Sequence, residues 1–366
     1  MSKTFFLQKA NEILNIRESD NRKLVFVYTQ PKVGSTSIVS SLRLYAIDKI
    51  HVIHVHDETM LKMLGNIEFV SIQDIINYNK IYLKKDVYVI NVYRSPIERK
   101  ISAFFEKIGT FHFNNTDANI DTNPNYTLNR IITRFNNVFT HIANGDHYLD
   151  LFLENISNND SFCFDFENKY ILQTGTNGVK YLTLRLKDAS TSWNHILSTI
   201  FETHIKVIPD YESKNKKFAN LYNRFKLEYQ LPTNYLQYIQ KNDKYFSFYY
   251  SPNEREEYIQ MWTKNHNNNN NSNTIWVGYT EDQYKFYQQI STENAVLDVV
   301  RGDHYLDEGC LCNKCGHKRK HAIKMLETNM NARVRIKHEM PENNSKSRIP
   351  LNNIVKRMPK KVMKLL

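Results

Sequence analysis

The residues Pro31-Lys32-Val33-Gly34-Ser35-Thr36-Ser37 gather the groups that bind an oxyanion. They follow the apolar run Leu24-Val25-Phe26-Val27-Tyr28. They precede a segment with apolar Ile38, Val39, Leu42 and Tyr45 at helical spacing. The first backbone N–H groups of a helix lack partners and carry partial positive charge, so an anion sits there favourably. Gly34 allows close backbone approach. Lys32 adds a full charge, and Ser35, Thr36 and Ser37 add hydroxyl donors. The spacing excludes a nucleoside-triphosphatase P-loop, in which Lys directly follows the second Gly. Here Lys32 comes two residues before Gly34. A helix start that is merely rich in Ser and Thr explains Thr36, but not Pro-Lys-x-Gly together with it.

A second cluster lies far along the chain. Cys310, Cys312 and Cys315, with His317 or His321, match a Cys₃His structural zinc knuckle in type. Most structural zinc sites use two separated pairs, so a cysteine-rich turn with free thiols is the other reading.

The elements that must position these groups follow from pattern. Leu24–Tyr28, Ile50–His56, Val87–Tyr93 and Val179–Leu186 read as strands. Helical spacing covers Thr36–Tyr45, Trp193–Glu202, Lys216–Glu228 and Glu254–Trp262. Ser95-Pro96-Ile97-Glu98 is a helix start, with Ser95 as N-cap and Glu98 closing a capping box. Strands alternating with helices predict an α/β fold with a central, mainly parallel sheet. Asn114–Asn125 reads as a surface loop. Asn265–Asn273 cannot bury apolar surface and reads as a linker. It divides an α/β domain (1–264) from a small C-terminal segment (274–340) and a basic tail (341–366), which reads as a solvated arm. Gly145-Asp146-His147-Tyr148-Leu149-Asp150 recurs at Gly302–Asp307 with no fixed period and no physical account.

Composition bounds the function. Of 366 residues, 49 are Lys or Arg and 38 are Asp or Glu, giving a net charge of +11 that favours anionic partners. No apolar stretch approaches the ~18 residues of a membrane span. Four cysteines make no disulfide framework. No signal peptide is evident at the start, so a cytoplasmic location is expected.

The Pro31–Ser37 loop resembles the 5′-phosphosulfate loop of sulfotransferases that use 3′-phosphoadenosine 5′-phosphosulfate. The second mark of that family is a strand ending in Arg, followed by a helix carrying Ser. Here it is Ile90-Asn91-Val92-Tyr93-Arg94 and then Ser102. The wording is similar to heparan-sulfate 2-O-sulfotransferases and bacterial capsular-polysaccharide sulfotransferases, over roughly Leu24 to Trp262. Ser95 departs from the family's usual Asp or Asn. The resemblance implies a P-loop-like three-layer sandwich and sulfuryl transfer to a carbohydrate hydroxyl. It also implies that Arg94 and Ser102 hold the 3′-phosphate and that Lys32 stabilises the leaving oxygen. A general base is then required. Strand alternation puts His54 and His56 on one face, with His56 at the carboxyl end, where open α/β sheets place ligands. His56 is the first expectation for the base and His54 the second. Each has a plain reading too, as a strand or surface residue. Arg185 and Lys187 are expected either to reach the ligand or to form a solvated charge pair. The rival reading of the chain is a non-catalytic nucleotide- or nucleic-acid-binding protein, with a degenerate fold and a zinc-and-basic C-terminal segment. For the enzyme, nucleic acid is not an expected partner.

Overall fold

A computed structural model of the chain describes residues 2–106, 108–109, 117–138, 164–210, 218–231, 236, 240 and 244–263. Contacts divide the chain into two compact units. The described parts of the first fall within 2–103, 164–219 and 228–263. Those of the second fall within 104–138 and 220–227.

Helix α1 (Lys3–Ile13) opens the first unit, with the Ser2 hydroxyl accepting from the Phe5 N–H. Strand β1 (Lys23–Tyr28) follows, and its Leu24, Val25, Phe26 and Val27 are at most 1% exposed. Such burial requires cover on both faces, which is why the run is unbroken in sequence. Helix α2 (Ser35–Tyr45) leads to β2 (Ile50–Val55), then α3 (Glu58–Gly65) and α4 (Ile72–Asn77). A π-helical turn, Tyr78–Tyr82, precedes β3 (Val87–Tyr93), which is buried along its length. Reciprocal amide hydrogen bonds between Asn11 and Asn79 tie α1 to that turn. Helix α5 (Pro96–Glu106) begins one residue after Ser95, as the capping pattern predicts.

The sheet has the order β2-β1-β3-β5-β4. Strands β2, β1, β3 and β5 (Lys180–Arg185) are parallel neighbours, in the register Val25↔Val52, Val27↔Ile90 and Ile90↔Leu182. Strand β4 (Tyr170–Thr174), which has no alternating pattern, pairs antiparallel with β5 at the edge. The class is therefore α/β with a mixed five-stranded sheet. One face packs Val25, Val27, Val52, Ile90 and Leu182 against Ile38, Val39 and Leu42 of α2. Trp193, Ile196 and Leu197 join them.

Helices α6 (Asp117–Thr122) and α7 (Leu128–Val138) lie between α5 and β4 in sequence. The former corrects the expectation of a loop over Asn114–Asn125: among the polar residues, Ile120 is 1% exposed and gives that turn an inner side. After β5 come α8 (Trp193–Phe201), α9 (Ala219–Glu228), α10 (Lys244–Tyr249) and α11 (Pro252–Thr263). The second unit packs aromatic rings edge to face. The pairs Phe104–Phe135, Phe105–Phe225 and Phe135–Phe225 lie 5.1–5.3 Å apart. Among the described residues, no helix is long and apolar enough to cross a membrane.

Arg185 overturns its sequence reading. It is 1% exposed and neither solvated nor available to a ligand. Its Nε donates to Asp188 Oδ2 at 2.6 Å, and its Nη1 donates to the Tyr249 carbonyl and to Glu254 Oε2, both at 2.8 Å. The guanidinium also lies 4.5 Å from the Phe164 ring centre. Lys187 joins through Glu254 Oε1 at 2.6 Å. This network fastens α10 and α11 to the end of β5. Removing one partner strands the others, so Arg185→Ala should destabilise the fold by about 3–5 kcal/mol. Urea unfolding measures it, and a loss under about 1 kcal/mol would show that the network anchors nothing.

Candidate functional site

Topology selects one crevice. The carboxyl ends of β1 and β3 are neighbours, with Val27 opposite Ile90. From β1 the chain passes through α2 to β2 on one side. From β3 it passes into α5, and the next strands add on the other side. A crevice where strand connections part in this way is where open α/β sheets bind ligands. The Pro31–Ser37 loop and Arg94 are the two segments that border it.

The loop backbone alternates in hand. Lys32 has φ 69° and Gly34 has φ 86°, with Val33 between them outside the positive-φ region. Alternation of this kind forms a concave nest of N–H groups suited to an anion, and here it runs directly into the N-terminus of α2. Lys32 in this conformation costs energy that the surroundings must offset. One compensation is explicit: Arg94 Nη1 donates to the Lys32 carbonyl oxygen at 2.8 Å. Arg94 is half-buried, and Pro31 is exposed.

Gly34 is favoured by its backbone conformation, and a side chain there would also displace Leu186. The Gly34 φ is disfavoured for other residues, and a Cβ there would sit 2.6 Å from Leu186 Cδ1 and 3.5 Å from Trp193 Cη2. Val33 is 1% exposed and belongs to the core beside Trp193, so it anchors the loop through its side chain.

The three hydroxyls differ. Ser35 is 4% exposed, and its Oγ lies 3.0 Å from His54 Nε2. The Ser37 hydroxyl accepts from the Asp210 N–H at 3.0 Å, so it holds a neighbouring segment to α2. Thr36 is half-buried, with its backbone in the first turn of the helix. Ser102 is 7% exposed in the second turn of α5. Its position relative to Arg94 follows from helix geometry alone.

The two histidines share a face as the alternation predicts. Their rings lie 4.6 Å apart at 79°. His56 Nδ1 is 2.7 Å from the Thr29 carbonyl oxygen. A carbonyl only accepts, so Nδ1 carries the proton and Nε2 presents its lone pair in the neutral form. His51 lies on the opposite face, with Nε2 3.1 Å from the Leu14 carbonyl.

Sequence reasoning placed Glu98 at the start of α5 but missed the tyrosines packed there. Glu98 Oε2 accepts the Tyr258 hydroxyl at 3.0 Å, a contact 160 residues apart in sequence. Tyr93, directly before Arg94, stacks on Tyr249 with ring centres 4.0 Å apart and planes at 11°. The aromatic run Phe246–Tyr250 was a visible signal, but its partner was not. Cys310, Cys312, Cys315, His317 and His321 lie outside the described residues. Among the described residues, no group of three or more His, Cys, Asp or Glu is placed to hold a metal ion.

No protein-family model matches the chain, and searches of curated proteins and of solved structures return no match. The site therefore stands on its own geometry and on the motifs it contains.

Burial, reinforced by the nearby charges of His56 and Arg43, pushes His54 from 6.5 down to about 4. Below pH 6.5 the unfolded chain takes up a proton at this position while the folded chain does not. The contribution of His54 therefore leaves stability unaffected above pH 6.5 and lowers it as pH falls toward 4. Chemical denaturation at pH 7 and pH 5 should show a smaller acid loss in His54→Gln than in the wild type. Equal losses would mean that His54 titrates normally in the fold.

Proposed function

We propose that this protein transfers a sulfuryl group from 3′-phosphoadenosine 5′-phosphosulfate to a hydroxyl of a carbohydrate. The fold that goes with this activity is a P-loop-like three-layer sandwich, and the setting is a reducing cytoplasm. One observation carries the proposal. The Arg94 guanidinium bonds the carbonyl of Lys32, so two motifs 62 residues apart meet at the switch-point crevice. Neither motif alone identifies a ligand, whereas their junction at the ligand-binding end of the sheet supports a shared phosphate-binding role.

The residues divide the work as follows. The nest of Lys32–Gly34 and the first turn of α2, with Ser35 and Thr36, hold the 5′-phosphosulfate. Arg94 and Ser102 hold the 3′-phosphate. Sulfuryl transfer, like phosphoryl transfer, is catalysed mainly by positioning and by charge stabilisation. Lys32 supplies positive charge to the leaving oxygen. His56 Nε2 takes the proton of the acceptor hydroxyl. The Thr29 carbonyl holds His56 in the required tautomer. The acceptor class rests on the motif resemblance. The Cys310–His321 cluster, whose thiolate-rich donors suit zinc, has a structural role in this reading.

Calorimetric titration with 3′-phosphoadenosine 5′-phosphate tests the nucleotide site. The wild type should bind, and Arg94→Ala should lose about 1.5–3 kcal/mol of binding. Equal affinities would remove Arg94 from the site, and no binding by the wild type would end the reading. With a carbohydrate acceptor in hand, His56→Ala should lower turnover roughly 10²–10⁴-fold while nucleotide affinity stays the same. Full turnover in that variant would place the base elsewhere.

A further inference from the structure

Ser35 and His54 pose a question that the proposed reaction leaves open. The Ser35 Oγ to His54 Nε2 distance of 3.0 Å fits either of two hydrogen bonds. In one, the Ser35 hydroxyl donates to a bare Nε2. Its oxygen then presents only lone pairs to the loop. In the other, Nε2–H donates to the Ser35 oxygen, and the hydroxyl proton is left to turn elsewhere. Ser35 is the first residue of α2, at the mouth of the nest formed by Lys32 and Gly34. A lone pair directed at an oxyanion there is repulsive, whereas an O–H is a charge-assisted donor.

We infer that His54 is a positioning residue that donates from Nε2–H to Ser35, and so turns the Ser35 hydroxyl proton toward an oxyanion held in the loop. The inference rests on the reading of the loop as an oxyanion site, and it gives His54 a role separate from proton abstraction. Three further observations agree with it. The ring is neutral at pH 7, because burial beside Arg43 and His56 opposes its protonation. The ring packs edge to face on His56, with centres 4.6 Å apart. Ser35, at 4% exposure, draws on His54 rather than solvent. The two histidines then play opposite parts from one strand face. His56 is fixed by Thr29 with Nε2 as acceptor, and His54 faces Ser35 with Nε2 as donor.

Two measurements test this on the full chain. The first needs no ligand: long-range ¹H–¹⁵N correlation spectra of ¹⁵N-histidine-labelled protein at pH 7, assigned with His54→Gln and His56→Gln. His54 should carry its proton on Nε2, and His56 on Nδ1. A His54 proton on Nδ1, or an imidazolium, overturns the inference. The second is titration with 3′-phosphoadenosine 5′-phosphate. Ser35→Ala and His54→Ala should each weaken binding roughly 10- to 100-fold, the loss expected for one hydrogen bond to a charged group. His54→Gln, whose amide N–H can replace Nε2–H, should stay within about threefold of the wild type. His54→Ala binding as well as the wild type overturns the inference. Failure of the wild type to bind would count against the functional reading, and the spectra would still decide the His54 tautomer.

Discussion

The hydrogen bond from Arg94 to the Lys32 carbonyl is the constraint on which the candidate site depends. Without it, the loop after β1 and the turn after β3 are two ordinary connections on adjacent strands. With it, a residue in a disfavoured backbone conformation is held by a side chain from the next strand. The nest keeps its shape because the cost of φ 69° at Lys32 is borne by that contact and by Val33, which is sunk into the core. The same contact fixes one guanidinium N–H, leaving the remaining donors of Arg94 oriented by a planar fork. The turn of α5 behind it is stiff for a separate reason. Glu98 is engaged by Tyr258, and Tyr93 is stacked on Tyr249.

Much of this was legible in the sequence, and the boundary of legibility is physical. Central strands are buried on both faces, so β1 and β3 announce themselves as apolar runs. The parallel order follows from alternation with helices. Edge strand β4 has the mixed pattern of an element covered on one side only in part, and no period marked it. Helix α1 was missed because Lys3, Lys9 and Glu12 dilute its apolar face, and its anchoring depends on a buried Asn11–Asn79 pair. Side-chain partners were the least legible. Arg185 read as a ligand contact or a solvated charge because Asp188, Tyr249 and Glu254 come together only in the fold. The alternation did place His54 and His56 on one face, because a period of two needs no knowledge of tertiary structure.

The serine content of α2 shows how site and fold share residues. Ser35, Thr36, Ser37, Ser40 and Ser41 make up nearly half of an eleven-residue helix, although such residues weaken helix interiors. The four serine hydroxyls are engaged, Ser35 with His54 and the others along the helix. Ser37 accepts from the Asp210 N–H, Ser40 donates to Asp210 Oδ2 at 2.7 Å, and Ser41 accepts from the Ile208 N–H at 2.8 Å. Ser41 also donates to the Ser37 carbonyl at 2.6 Å. The segment through Ile208 and Asp210 thus lies on α2 by side-chain hydrogen bonds along one stripe, while Ile38, Val39 and Leu42 hold the other stripe to the sheet. Tertiary contacts therefore replace the propensity that the helix lacks. The helix can then begin with a small hydroxyl residue at its anion-facing end. A helix stabilised by Ala and Leu would be stronger in isolation, but it would offer no hydroxyl donor beside the N–H groups of the nest and no ladder for the segment that covers it.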